Sequence, residues 1–221
     1  MQAIMETIFE SIYLLFALSS GIYLLIKSYK RLDYILLASA ILILGFGDAF
    51  HLIPRMVGLN TTGLSNYIEP LGIGKLITSI TMTFFDVIMY TFLIVRYKKN
   101  FPIYLHIIYS GLFLIRIILV ALPYNNWLGE SPYIWNIIRN IPFVVMGMIF
   151  IVLSYKTQKE DKYFKYTWLI VSLSFIFYLV TALGATYVPI LGLMMLPKTL
   201  CYMVLFVLGI LSVRNIEKLE N

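Results

Sequence analysis

The chain has 221 residues, of which 61% are hydrophobic and only 13% charged, with a mean hydropathy of +0.88. That balance excludes a soluble domain, because too few polar residues remain to form an amphipathic shell around one core. The net charge of +6 is distributed as a membrane-topology signal rather than a nucleic-acid-binding one. The single cysteine, Cys201, excludes both an intrachain disulfide and a thiolate metal cluster within the chain.

Apolar runs of about 20 residues, the length that crosses a bilayer, recur along the whole chain. They predict one all-α domain over 1–221: a polytopic bundle of seven transmembrane helices at 8–26, 34–53, 73–96, 102–122, 134–155, 164–187 and 190–212. The first run is preceded by Glu6 and no basic residue. It therefore lacks the positive flank of a cleaved signal peptide and reads as a retained helix.

The second run carries Gly45, Gly47, Asp48 and His51 and ends near Pro54 and Arg55. Arg55 to Gly72 is expected to be the longest connection, with Gly58, Asn60, Gly63, Asn66 and Pro70. Gly72 and Gly74 precede Lys75, Ser79, Met82 and Asp86 on the third run. The fourth starts near His106 and contains Arg116. Pro123 to Pro132 forms a second irregular segment, with Trp127 and Tyr133 expected as interfacial anchors. Arg139 and Pro142 lie on the fifth run, Pro197 and Lys198 on the seventh, and both prolines are expected to kink their helices.

Orientation follows from the cations between runs. Lys27, Lys30, Arg31, Arg96, Lys98, Lys99, Lys156, Lys159, Lys162, Lys165, Arg214 and Lys218 share one side, twelve of the seventeen in the chain. The positive-inside rule makes that side cytoplasmic, with the N-terminus out and the C-terminus in, in a multi-pass protein of the cell membrane. The compact loops and the Lys- and Ile-rich composition suit a bacterial inner membrane.

The remaining five, Arg55, Lys75, Arg116, Arg139 and Lys198, lie in or beside apolar runs, where an ionisable residue marks a functional site by default. At about 1.5 Å per residue, Asp48, His51, Arg116, Arg139 and Lys198 fall roughly 4 to 11 Å beyond their helix midpoints in the outer half, and Asp86 falls near the midplane. Asp48, His51 and Arg55 share one face of the second helix; Lys75, Ser79, Met82 and Asp86 share one stripe of the third. Together they predict an outward-open pocket, with Arg55, Lys75, Ser79, Asp86, Arg116, Arg139 and Lys198 as ligand-binding residues.

Five cations there face only Asp48, Asp86 and Glu69, so an anionic or zwitterionic small molecule or lipid head group would complete the balance. Such a sensor or receptor would need a cytoplasmic or membrane signalling partner, since the cytoplasmic face has only short basic loops. The bland alternatives are snorkelling of Lys75, Arg55 and Arg139 to the interface, and neutral struts pairing Asp86 with Arg116 or Asp48 with Lys198.

Asp48 and His51, at i and i+3, also suit an Asp-oriented general base, with Ser79 or a water as nucleophile, in an intramembrane lipid hydrolase. A metal on Asp48, His51 and Asp86 is a weaker reading, because His106 lies about 25 Å away by the same rise. No metal site and no cofactor are assigned. A transporter is the third class, and the apolar inner half offers it no visible polar path.

Two resemblances attach to these residues. Gly47-Asp48 with Pro54, followed by Gly72-Ile73-Gly74-Lys75, resembles about 30 residues of the YhhN-type lysoplasmalogenases, which implies a multi-helix membrane hydrolase. Lys198 in the seventh helix and Asp86 in the third resemble the layout of microbial rhodopsins, which implies a retinal Schiff base on Lys198 with Asp86 as counterion.

Overall fold

The computed structural model of the protein describes residues 2–129 and 131–220. Glu130, in the second irregular segment, and the side chain of Lys218 lie outside what is described. Among the described residues every regular element is helical: α1 Gln2–Ile26, α2 Leu32–Asn60, α3 Ile68–Tyr97, α4 Ile103–Ala121, α5 Tyr133–Thr157, α6 Thr167–Gly184 and α7 Met195–Glu220. Short 3-10 turns occupy Leu64–Tyr67, Pro123–Asn125, Gln158–Glu160 and Pro189–Met194. Seven helical stretches are long and apolar enough to cross a membrane, as expected of a multi-pass membrane protein.

The helices close a ring in chain order. Each packs on the next, α7 returns to α1, α3 also touches α5, and α2 reaches α7 across the interior. One end of the bundle gathers the α2–α3, α4–α5 and α6–α7 connections and is called here the long-loop end. The other, with the α1–α2, α3–α4 and α5–α6 turns, is the short-turn end.

Three boundaries differ from the sequence reading, each for a local reason. The expected connection from Arg55 to Gly72 is mostly helix, because α2 continues through Pro54 to Asn60 and α3 starts at Ile68. A proline inside a helix removes the amide that would bond the carbonyl four residues back, here that of Phe50. That carbonyl meets Gly74 of α3 where any Cβ would overlap it, so a glycine on the partner helix receives the irregularity. The first helix begins at Gln2 rather than 8, since Glu6 and Glu10 are held by Arg55 and need no solvent. In the seventh, 190–194 is 3-10, which puts Pro197 in the first α-helical turn. It produces no kink there: a first-turn proline lacks only an orphan amide, and the Leu193 carbonyl accepts from the Met195 amide. Pro142 does lie inside α5 as expected.

At the short-turn end a buried guanidinium is fully compensated. Arg96 donates to Asp161 Oδ2 at 2.6 Å, to Asp33 Oδ2 at 2.9 Å and to Ser212 Oγ at 3.0 Å, while Tyr34 and Ser212 share a further bond of 2.7 Å. Asp33 is also paired with Arg31, and Arg96 lies over the Tyr34 and Phe164 rings. This cluster ties α2, α3, α7 and the α5–α6 turn together. Removing one member of a buried ion network strands the others, so Arg96→Met is expected to destabilise the protein by about 3 kcal/mol. Chemical unfolding in detergent micelles measures it; a loss well below that size would mean that the network's desolvation cost cancels its attraction.

Candidate functional site

The long-loop end is built differently. On α2, Arg55 donates to Glu6 Oε2 at 2.7 Å and pairs with Glu10 Oε1 at 3.3 Å, so its charge is used in tying α2 to α1. Its expected role as a ligand contact gives way to this ion pair, because the retained first helix carries two carboxylates alongside it. Asp48 Oδ2 accepts a hydrogen bond from the Tyr13 hydroxyl at 2.6 Å. His51 makes no bond to Asp48: its Nδ1 is buried without a hydrogen-bond partner, and its ring lies beside the Leu71 backbone. The Asp-oriented base expected from the i, i+3 spacing is therefore not assembled.

On α3 the expected stripe grades from water to core. Lys75 is exposed, Ser79 half-buried, and Met82 and Asp86 are buried. The Ser79 hydroxyl donates to the Lys75 carbonyl at 2.7 Å, so its proton is occupied within its own helix.

Arg139 of α5 is buried in a cradle of neutral oxygens. Its nitrogens donate to Asn125 Oδ1 at 2.9 Å, Ser131 Oγ at 3.0 Å and Asn136 Oδ1 at 2.9 Å, and its guanidinium lies 4.3 Å over the Trp127 ring. The α4–α5 connection is wound to hold this arrangement. Asn125 Nδ2 donates to the carbonyls of Leu119, Val120 and Leu122, which close the end of α4, and Trp127 Nε1 also donates to Val120. The Trp127 carbonyl meets Gly72 of α3 where a Cβ would overlap it. Trp127 is thus half-buried against Arg139 rather than an interfacial anchor, because the connection folds back over the bundle. Tyr133 donates to the Leu183 carbonyl at 3.2 Å.

Two deeper cations have less. Arg116 of α4 is 2% exposed, and both its Nε and its Nη1 are without hydrogen-bond partners. It lies 5.4 Å over the Phe143 ring with Tyr178 beside it. Lys198 is 7% exposed and faces the Tyr178 and Tyr202 rings at 5.4 and 5.5 Å. Asp48 is near enough for its charge to act on Lys198, with no ion-pair contact. Lys198 also occupies the first turn of α7, the positive end of the helix dipole, which adds to the cost of its charge.

Neither expected strut forms in full. Arg116 is turned to α5 and α6, while Asp86 faces Tyr109 and a small cavity, so Asp86 and Arg116 do not meet. Among the described residues the ion pairs engage Arg31, Arg55, Arg96 and Lys99, and none engages Lys75, Arg116, Arg139 or Lys198. These four nevertheless share one neighbourhood, since Lys75 feels the charge of Arg139, and Arg139 that of Arg116. Like charges held together without carboxylates raise one another's free energy, and a bound anion would lower it. No group of three His, Cys, Asp or Glu among the described residues could hold a metal, so Asp48, His51 and Asp86 are not brought together as ligands.

The sequence reading missed Tyr13, Tyr178 and Tyr202, which line this layer, and Asn125 and Asn136, which hold Arg139. Seventeen tyrosines make any one of them a weak signal, whereas Asn125 sits beside a proline turn where an amide side chain commonly satisfies helix-end carbonyls. No family model, curated protein or solved structure matches the chain.

Asn125→Ala is expected to lower stability by about 2 kcal/mol, because it removes the side-chain donor to the Leu119, Val120 and Leu122 carbonyls and one acceptor of buried Arg139. Thermal unfolding reads this directly; an unchanged midpoint would mean that water replaces the amide and that the cradle is soft.

Proposed function

We propose that the protein binds an anionic or zwitterionic head group, of a small molecule or a lipid, among Arg116, Arg139, Lys198 and Lys75. The observation that carries this reading is Arg116: a guanidinium 2% exposed with two nitrogens unpartnered, in a protein where Arg96 has two carboxylates and a hydroxyl and Arg139 has three side-chain oxygens. Arginine's fork of donors matches a phosphate or carboxylate, and Lys198 adds a point charge beside it. The positive-inside rule supports the reading that the short-turn end, where twelve of the seventeen cations fall in the sequence, is cytoplasmic, with the long-loop end outward and the head group entering from there.

Binding is favoured over turnover because Asp48 is held by Tyr13 and makes no bond to His51. A second reading, an intramembrane lipid hydrolase, is supported by the unpartnered Nδ1 of His51, which is available as a base.

Native mass spectrometry of gently purified protein tests both. A stoichiometric adduct that disappears in an Arg116→Ala, Lys198→Ala double variant supports head-group binding, with the mass separating an intact lipid from free phosphate. Release of a cleaved lipid by the protein, abolished in His51→Ala, would favour the hydrolase. No adduct in either sample would overturn both readings.

A companion measurement uses the charge cost itself. Replacing an uncompensated buried cation by an apolar residue of similar length removes a desolvation penalty, so Arg116→Met is expected to raise the ligand-free melting temperature while abolishing the adduct. A lowered melting temperature would show that Arg116 is already compensated within the protein.

A further inference from the structure

Below the cationic layer, Asp86 is 5% exposed and its Oδ2 has no hydrogen-bond partner. It lines a cavity of about 10 Å³, room for one water, together with Tyr202 and a wall that includes Phe85, Phe143 and Phe175. The titratable groups that meet it are Tyr109 from α4 and Tyr202 from α7; α5 and α6 present Phe143, Phe150, Val171 and Phe175 there, and no cation acts on it.

From Asp86 a row of ionisable hydrogen-bonding groups runs toward the short-turn end. Tyr109 is buried, donates to the Asp86 carbonyl at 3.2 Å and has its hydroxyl beside the Asp86 carboxylate. The Tyr109 ring stacks on Tyr90 at 4.1 Å between centroids, and Tyr90 lies one turn along α3 from Asp86. The Tyr90 hydroxyl bonds His106 Nδ1 at 2.9 Å, and His106 is the fourth residue of α4, half-buried near the short-turn end. In the other direction, Tyr202 feels the charges of both Asp86 and Asp48, and half-buried Asp48 opens on the cationic layer. The groups extend from roughly 5 Å to roughly 24 Å above the short-turn end of their helices, most of a hydrocarbon core. Tyrosine is counted with the hydrophobic residues in the composition, so a row built mostly of phenols does not stand out as a polar path in the sequence.

We propose that Asp48, Tyr202, Asp86, Tyr109, Tyr90 and His106 form a proton path through the bundle, with Asp86 as its proton-binding carboxyl, so that the protein conducts protons across the membrane. Ionisable side chains buried in a bundle and strung between its two faces are the material of such relays. A proton taken up at His106 Nε2 is balanced by release of the Nδ1 proton to the Tyr90 oxygen as Tyr90 gives up its own hydroxyl proton. One water between the phenols passes it to the Tyr109 oxygen, Tyr109 turns its hydroxyl from the Asp86 carbonyl and releases that proton to the carboxylate beside it, and the carboxylate becomes a neutral carboxyl. The proton leaves Oδ2 for a water in the cavity, then the Tyr202 hydroxyl, then Asp48, and each relay group ends with the hydrogens it began with. This activity goes beyond head-group binding and does not depend on it.

The test uses the full chain in phosphatidylcholine and phosphatidylglycerol liposomes containing pyranine, with a potassium gradient and valinomycin setting the membrane potential. Acidification faster than in protein-free liposomes, falling to the protein-free rate in Asp86→Asn and several-fold in Tyr109→Phe, is the expected result. Wild-type flux no faster than protein-free liposomes, or Asp86→Asn conducting like wild type, would overturn the proposal. If Asp86→Asn fails to fold, Tyr109→Phe and Tyr90→Phe decide, since each removes one hydroxyl and little else; unchanged flux in both overturns the path.

Discussion

Charge inside a bilayer must be compensated by the protein itself, because no water is at hand to do so. The bundle obeys this rule at two places and departs from it at a third. Arg96 is met by Asp33, Asp161 and Ser212, and Arg55 by Glu6 and Glu10, so both guanidinium groups bind helices together. Arg139 is solvated by amide and hydroxyl oxygens, which meet its hydrogen bonds and leave its charge. Arg116 has no carboxylate and two unpartnered nitrogens, with only the Tyr178 hydroxyl beside it, and Lys198 has only aromatic faces and the distant field of Asp48. This gradation within one chain separates cations that tie helices together from cations that no carboxylate meets.

The architecture was legible where it depends on length and hydropathy alone. Seven apolar runs gave seven helices, since a span needs about 20 residues whatever it packs against. Boundaries failed where a tertiary contact overrode a local signal. Pro54 marked an end to α2 that Gly74 made unnecessary, and the acidic start of α1 fell outside the apolar run until Arg55 was placed beside it. Cations were the readable part of the site because they are scarce in such runs. The geometry among them was not readable, since the partner choice of Asp86 and Asp48 depends on how α4 and α7 are rotated, and a helix face fixed by period says nothing of its neighbour.

Two polar systems meet at Tyr202 and Asp48. The cationic layer touches them through Lys198, and the tyrosine row reaches them from Asp86. A change in net charge in one would be felt by the other through a low-dielectric interior, so the proposed binding of an anion near Lys198 and of a proton at Asp86 would be electrostatically linked. The close helix contacts at Gly47 against Thr81, Gly74 against Phe50 and Gly72 against Trp127 keep the α2–α3 side of this junction rigid.

The ring closes in chain order, and this has a consequence for biogenesis. Each helix finds its neighbour in the segment inserted just before it, so most of the bundle can assemble from local contacts as synthesis proceeds. The exception is α7, which also seats on α1 and α2, segments far before it in the chain. Lys198 and Tyr202 arrive with it. Without α7 seated the ring is an open crescent, and the polar layer around Asp48 lacks both its lysine and one of its tyrosines.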